Sequence, residues 1–228
     1  NIKTKTKDVE CHTNLIMPFN ALNITLAYAI LDSLGEMEDS KFNQLLEEIK
    51  IPGRDEVIRY NGRTIIITIT CTPHLEIIKR YKEKGKVKNI RLVTGSFGKG
   101  FNSWLEEYKE EKFTKYVEES MRWAYSYFVK NVDQIYITTN DNAYSNITEL
   151  LGKQKKEVEG KTTYFLIEDR KEAIKKAIED SERNDVIIIS GRGNRSIFCK
   201  DRRNVEIYLD RSIVEEEIIK KKEEDNAN

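Results

Sequence analysis

The chain has 228 residues, 39% hydrophobic and 34% charged, enough for one large soluble domain or for one domain plus part of another. Lys+Arg and Asp+Glu both number 39, so no net charge draws the chain to nucleic acid or an anionic membrane, and no apolar run approaches a membrane span. Three cysteines (Cys11, Cys71, Cys199) without a CxxC pair, and only two histidines, argue against a disulfide framework or a zinc site. They fit free buried thiols in a reducing, cytoplasmic setting. The chain opens on Asn1 in a Lys/Thr-rich alternating segment, which predicts a fragment with its upstream part missing.

Residues 1–17 alternate polar and apolar positions and predict an edge strand or hairpin remnant. "FNALNITLAYAILDSLG" carries apolar residues at helical spacing (Leu22, Leu26, Ala29, Ile30) and stops at Gly35. A second helix is predicted over Ser40–Ile49, with Ser40 as its cap. Pro52 and Gly53 then break the chain, and a domain hinge is placed there.

Beyond that point strands and helices alternate. Thr64–Thr70 is a β-branched strand, and a helix starts near Thr72-Pro73. Asn89–Thr94 is the next strand; it leads through "GSFGKGFNS" into a helical region at roughly 101–130. Gln134–Thr139 and a weaker Thr163–Ile167 follow, then a helix over Arg170–Glu182 and the apolar run Asp185–Ser190. "VEIYLD" is predicted to close the sheet before a charged helix at about 211–223. This order predicts an α/β fold: a Rossmann-like, mostly parallel sheet with helices on both faces, preceded by a helical segment. Ligands of such sheets bind at the carboxyl ends of the strands, here the loops at 70–74, 95–103, 139–146 and 190–196.

Several motif fragments carry little. "GKT" at Gly160–Thr162 lacks the earlier glycine of a phosphate-binding loop and precedes a strand, not a helix. "GSFGKG" is as compatible with a plain turn as with a binding loop. The charge runs at 106–112 and 215–224 read as solvated helix faces. Ser190 and Ser196 lack the GxSxG elbow. His74 has no acid or nucleophile at a recognisable spacing, so surface or first-turn packing is its default. No residue is assigned a catalytic or metal-ligating role.

Six segments, taken in order, resemble the Mur ligase family, most closely the UDP-N-acetylmuramoyl-tripeptide ligases that add diaminopimelate or lysine. "FNALNITLAYAILDSLG" is similar to the family's HNxxN helix, and "IPGRDEV" to its PGRxE hinge. "ITCTPH" stands where the family has DYAHTPD, and "TNDNAYSN" where it has DNPR. "EDRKEAIKKAIEDSERNDVIIISGRGNRS" resembles the DRxxAIxxAI helix followed by a strand and GKGHE, and "LDRSIVEE" the closing DR turn. The resemblance implies that residues 1–50 are the tail of a central ATP-binding domain and 51–228 a C-terminal Rossmann-like domain. The phosphate-binding loop would lie upstream.

It also implies roles. Asn23 matches the adenine-contacting Asn, and Arg54 the hinge arginine that reaches the nucleotide. Thr68 replaces the ribose-contacting acid and Cys71 the histidine. Asp141 and Asn142 keep the first half of the amino-acid grip, while Ala143 and Tyr144 replace Pro-Arg, so the bidentate carboxylate clamp is gone. Gly191 and Gly193 keep the GKGHE glycines, but Asn194 and Arg195 replace His-Glu, and a guanidinium there would repel a distal ammonium. Lys99 is the only cation near the 95–103 loop. The expected cofactors are ATP and Mg2+, bound mainly by the missing domain. The expected partners are a nucleotide, an amino acid and a UDP-sugar-peptide, in cell-wall precursor synthesis, with neither nucleic acid nor membrane. The expected chemistry is ligation of an amino acid to a carboxylate through an acyl phosphate. The alternative is a divergent, non-catalytic relative that keeps the fold for binding or regulation.

Overall fold

The computed structural model describes residues 1–4, 8–35, 38–97, 110–142, 145–201 and 203–227. Its first fifty residues form a small unit. Strands β1 (Ile2–Lys3) and β2 (Asp8–Val9) pair antiparallel, as the alternation of 1–17 predicts. Helix α1 (Asn20–Ser33) runs out at Gly35, whose φ of +72° only glycine adopts without strain. Helix α2 (Asp39–Glu48) starts one residue before the predicted cap: Glu38 occupies the cap position, and the Ser40 hydroxyl donates to the Glu38 carboxylate. Ile24 and Tyr28 of α1 meet Phe42 and Leu46 of α2 in a small core of their own.

The larger unit is a six-stranded sheet. Its strands are β3 (Glu56–Tyr60), β4 (Arg63–Thr68), β5 (Ile90–Thr94), β6 (Gln134–Ile137), β7 (Thr163–Leu166) and β8 (Val186–Ser190), in the order β3-β4-β8-β5-β6-β7. Five run parallel; β3 is antiparallel to β4. β3 has no counterpart among the elements expected from sequence, which place a hinge at Pro52-Gly53 and the next strand at Thr64. Its hairpin turn is Asn61-Gly62, both at positive φ (43° and 75°), the backbone that a two-residue type I′ turn demands.

Because side chains alternate across a strand, each central strand feeds two cores. Ile66, Leu92, Ile135, Ile137 and Ile188 point to one face. There they meet Leu75 and Ile78 of α3 (Thr72–Glu83), Met121, Tyr125 and Phe128 of α4 (Glu110–Phe128), and Leu151 and Val158 of α5 (Ile147–Val158). Ile65, Ile67, Val93, Ile187 and Ile189 point to the other face. They pack on Ala173, Ile174, Ala177 and Ile178 of α6 (Arg170–Glu179), and on Ile213, Val214 and Ile218 of α7 (Asp210–Ala227). α5 was absent from the sequence reading, although Asn146 caps it by accepting from the Glu149 backbone N–H. The part of the fourth predicted helical region at 101–109 lies outside the described residues.

One strand assignment is corrected. "VEIYLD" does not close the sheet: β10 (Val205–Ile207) pairs antiparallel with β9 (Ile197–Cys199) in a separate hairpin. The edges of the main sheet are β3 and β7, and the hairpin pairs with neither; its Cys199 carbonyl accepts instead from the Asn142 N–H in the loop after β6. The thiol expectation is also corrected: all three cysteines are free, but only Cys71 is buried.

The chain runs β4, β5, β6, β7 outward along the sheet and then returns, placing β8 between β4 and β5. The helix after β4 and the helix after β8 lie on opposite faces. The carboxyl ends of β4, β8 and β5 therefore splay their loops around a crevice, the place where such folds hold ligands.

Candidate functional site

Three loops meet at this crevice: the hinge loop 52–56, the loop after β6 (138–142) and the loop after β8 (190–196). The hinge and the β8 loop touch backbone to backbone. A Cβ on Gly53 (φ +64°) would lie 2.2 Å from the Asn194 amide nitrogen, and one on Gly193 (φ +58°) would lie 2.6 Å from the Gly53 carbonyl oxygen. Both glycines are required twice over, by conformation and by space. Gly191 (φ +115°) anchors the start of its loop by donating its N–H to the Thr68 carbonyl at 3.1 Å, and a side chain there would strike Asn140.

Beneath the loops lies a buried charge cluster. Arg170, the first residue of α6, makes a bidentate pair with Asp210 at the start of α7 (Nε–Oδ1 2.9 Å, Nη2–Oδ2 2.8 Å), both fully buried. The same guanidinium donates to the Ser190 carbonyl at 3.0 Å and to Asn140 Oδ1 at 2.9 Å. Asn140 in turn donates to the Gly95 carbonyl at 2.6 Å. One side chain thus ties the ends of β8 and β6 to the start of α7, and through Asn140 to the end of β5. Burial works against the charge of Arg170, but Asp210 outweighs it and the guanidinium is held more firmly protonated than usual. Arg192 is also fully buried. It lies 3.4 Å from Asp210 Oδ1, donates to the carbonyls of Arg195 and Ile197, and stacks 4.9 Å from the Phe198 ring centre and 4.5 Å from that of Tyr208.

The residues singled out from the sequence fall into three groups. Asp141, Asn142, Gly191, Gly193 and Arg195 gather at the β6 and β8 loops. Asp141 Oδ1 accepts from the Cys199 N–H at 3.3 Å, and Oδ2 lies 3.7 Å from Arg195 Nη1. Arg195 stands 5.4 Å from the Phe97 ring centre, and burial lowers its pKa while Asp141 opposes the shift. Asn142 is fully buried; its N–H donates to the Cys199 carbonyl, and neither amide atom of its side chain has a hydrogen-bond partner among the described residues. Tyr144 lies outside the described residues, as does Lys99.

Arg54 and Thr68 lie at the hinge side. The Arg54 side chain is exposed and makes no hydrogen bond or ion pair with another described residue. Thr68 is buried, and its hydroxyl lies 3.1 Å from Asp55 Oδ1. Asn23 sits apart from both groups, on the exposed side of α1, donating to Asn20 at 3.3 Å.

Sequence reasoning missed several residues that build the site. His74 is in the first turn of α3, as its default placement had it. It is buried there, however, with Nε2 2.9 Å from Asp55 Oδ1. Asp55 holds a left-handed backbone (φ +62°), rare for a residue other than glycine. A carboxylate therefore does stand beside Thr68, supplied by the hinge. Burial lowers the His74 pKa, with Asp55 acting in the opposite sense. Glu56 closes the hinge by accepting from the Gly53 N–H at 2.9 Å and pairing with Arg211 at 2.6 Å. Burial raises the Cys71 thiol to about 11, so it stays protonated at neutral pH. The available signal for Arg170 and Asp210 was their place in the DRxxAI and DR segments; their 40-residue separation hid the pair.

No model of a protein family matches the chain. Individual relatives do. The chain is 27% identical over 213 residues to the UDP-N-acetylmuramoyl-L-alanyl-D-glutamate--2,6-diaminopimelate ligase of Clostridium botulinum, covering 88% of this chain and 40% of that one. It is 29% identical over 197 residues to the enzyme of the same name from Aquifex aeolicus, covering 85% and 37%. A solved structure of such a ligase superposes with a TM-score of 0.60 at 17% identity, over 96% of this chain and 42% of that one. A folylpolyglutamate synthase from Thermotoga maritima gives 0.54 at 18% identity, over 80% and 38%. A bifunctional folylpolyglutamate synthase/dihydrofolate synthase from Yersinia pestis, solved with AMPPNP and a Mn ion, gives 0.55 at 16% identity, over 83% and 40%. The chain spans about two fifths of the length of the curated relatives it matches. Sequence likeness along most of the chain, joined to a shared fold, supports a Mur ligase C-terminal domain.

Proposed function

We propose that the chain is the C-terminal part of an ATP-dependent amide ligase of the Mur type, acting in the cytoplasm on cell-wall precursors. Residues 1–50 are the end of the ATP-binding domain and 51–228 the domain that closes over the nucleotide and presents the amino acid. The observation that carries this reading is the Gly53–Gly193 contact. It sets an exposed Arg54 guanidinium, unpaired among the described residues, on one side and the Asp141–Arg195 pair on the other, on loops whose backbones touch.

ATP with Mg2+, held mainly upstream, supplies activation of the carboxylate substrate as an acyl phosphate. Among the described residues no group of three or more His, Cys, Asp or Glu is placed to hold a metal ion. Within this chain, Arg54 offers a donor fork to a phosphate and Asn23 a side-chain amide to the base. Asp141 and Asn142 orient the amine nucleophile, the entropy-reducing part of the reaction. Arg195 answers the negative charge of Asp141, so the acceptor is an uncharged or acidic amino acid rather than a basic one. The test is acceptor selectivity of the ligase in the longer protein across a panel of amino acids. Arg195→Glu should move preference toward lysine or diaminopimelate. Unchanged selectivity would remove Arg195 from the pocket.

The Asp141–Arg195 pair also favours the second reading. With the Asp141 carboxylate engaged internally by Arg195, the domain would serve binding or regulation without ligation. ATP binding without amino-acid-stimulated phosphate release would select it.

A further inference from the structure

The hinge loop carries Arg54 between two left-handed residues, Gly53 (φ +64°) and Asp55 (φ +62°). Glycine takes that backbone freely, whereas an aspartate keeps it only where its surroundings hold it there. Gly53 is held by its backbone contact with Gly193 and Asn194 and by the bond from its N–H to Glu56. Asp55 is held by its side chain. Its Oδ1 meets the Thr68 hydroxyl at 3.1 Å, at the end of β4, and His74 Nε2 at 2.9 Å, in the first turn of α3. The residue after Arg54 is thus pinned to the sheet and to α3 at once.

The contact with His74 is incomplete. The ring is 2% exposed, and although Nε2 is within reach of Asp55, neither ring nitrogen completes an aligned hydrogen bond with a described residue. Burial makes the ring resist a second proton, and Asp55 only partly opposes that effect. Freed into solvent, the same ring takes the proton in the ordinary histidine range. The shut form is therefore fully favoured above that range and loses ground as pH falls through it toward the lower buried value. The other titratable or charged groups on the elements around the ring are few. Cys71 before α3 is raised to about 11, Glu76 is on the exposed side of α3, and Tyr125 and Tyr127 of α4 are raised by burial. In the hinge, Arg54 is exposed and Glu56 is engaged by the Gly53 N–H and Arg211. None of them is an imidazole; the second histidine of the chain, His12, lies against Glu10 in the first fifty residues.

We infer that Asp55 and His74 form a proton-sensitive latch that positions Arg54: with His74 neutral the hinge loop 52–56 is shut against α3, and protonation of His74 releases the loop and moves the Arg54 guanidinium from its place. Both are positioning residues, acting on Arg54 through the backbone that flanks it. Because Gly53 touches Gly193 and Asn194, release of the hinge also frees the loop after β8. The inference rests on the proposed function only for its consequence, that a displaced Arg54 weakens the grip on a nucleotide phosphate.

The test is a titration of the 228-residue chain from about pH 7.5 to about pH 5.5, following the His74 ring and the amides of 53–56 and 193–194 by nuclear magnetic resonance. The amides should shift together with the ring, at a midpoint below that of free histidine, and return when the pH is raised. In His74→Gln they should keep their high-pH positions throughout. Thr68→Val removes the other hold on Asp55 without touching a titrating group, so its hinge amides should be displaced toward the acid-form positions already at the higher pH. The wild-type titration and Thr68→Val decide the matter even if His74→Gln does not fold. Hinge amides that ignore the His74 titration overturn the inference, as do amides that shift with pH just as much in His74→Gln. In the longer protein, ATP affinity should fall between the two pH values at least about threefold more in wild type than in His74→Gln, a comparison that cancels the titration of the phosphate itself. A latch that opens in the 228-residue chain while the longer protein binds no nucleotide sinks the ligase reading alone. Hinge amides that ignore His74, in a longer protein that binds ATP and ligates, sink the latch alone.

Discussion

Asp210→Ala is the sharpest perturbation of the framework beneath the site. Asp210 is fully buried and is the counter-charge of two equally buried guanidinium groups. The substitution removes the two short bonds to Arg170 and the longer one to Arg192, while leaving Arg170 its bonds to Ser190 and Asn140. Bonds to charged groups contribute ~1.5–3 kcal/mol each, so the two short ones account for ~3–6 kcal/mol. Measured losses on breaking one side of a buried ion pair are ~3–5 kcal/mol. The two routes agree on about 4 kcal/mol, a large part of the ~5–15 kcal/mol that holds a domain folded. With an m-value of about 3 kcal/mol per molar urea, the unfolding midpoint followed by circular dichroism should fall by ~1.3 M. Asp210→Ala combined with Arg170→Met should recover part of the loss, because the uncompensated charge goes with the arginine. A midpoint within ~0.3 M of wild type for Asp210→Ala alone, on the same urea scale, would show that the cluster does not carry the load assigned to it.

Three further outcomes follow from the same geometry. Burial depresses the His74 pKa, so the unfolded chain binds that proton more readily; stability should fall as pH drops from about 7 through the ordinary histidine range, and His74→Gln should remove that part of the pH dependence in matched denaturation curves. Cys71, buried with its thiol raised to about 11, should resist a thiol reagent at pH 8 in the native protein and react at once in urea; prompt native reaction would contradict its placement. Gly53→Ala introduces a Cβ 2.2 Å from the Asn194 nitrogen at a left-handed position, so it should displace the β8 loop; amide shifts confined to 50–56, with none at 191–195, would deny the contact between the two loops.

The central strands were legible because each is a short, strongly β-branched run buried on both faces, as with Ile65–Ile67 and Ile187–Ile189. β3 was hidden by its mixed polarity beside a Pro-Gly break, although Asn61-Gly62 was a usable hairpin signal. β10 carries an alternation that fits a sheet edge equally well, and only three-dimensional pairing with β9 distinguishes the two. Within the site, Gly191 and Gly193 could be placed from sequence because a glycine between strand and polar loop announces an unusual backbone. Arg170–Asp210, Asp55–His74 and Glu56–Arg211 could not. Each joins residues far apart in the chain, and no periodicity relates them. The carboxylate missing at Thr68 is a case in point. Sequence comparison sees its loss, while the fold shows Asp55 supplying one from the neighbouring loop.

The measurement that bears most directly on the proposed function is phosphate release from ATP by the longer protein, with the carboxylate substrate present, as a panel of amino acids is added. The account predicts release stimulated by an uncharged or acidic amino acid and abolished together with nucleotide binding in Arg54→Ala. Nucleotide binding with no stimulation by any amino acid would contradict it.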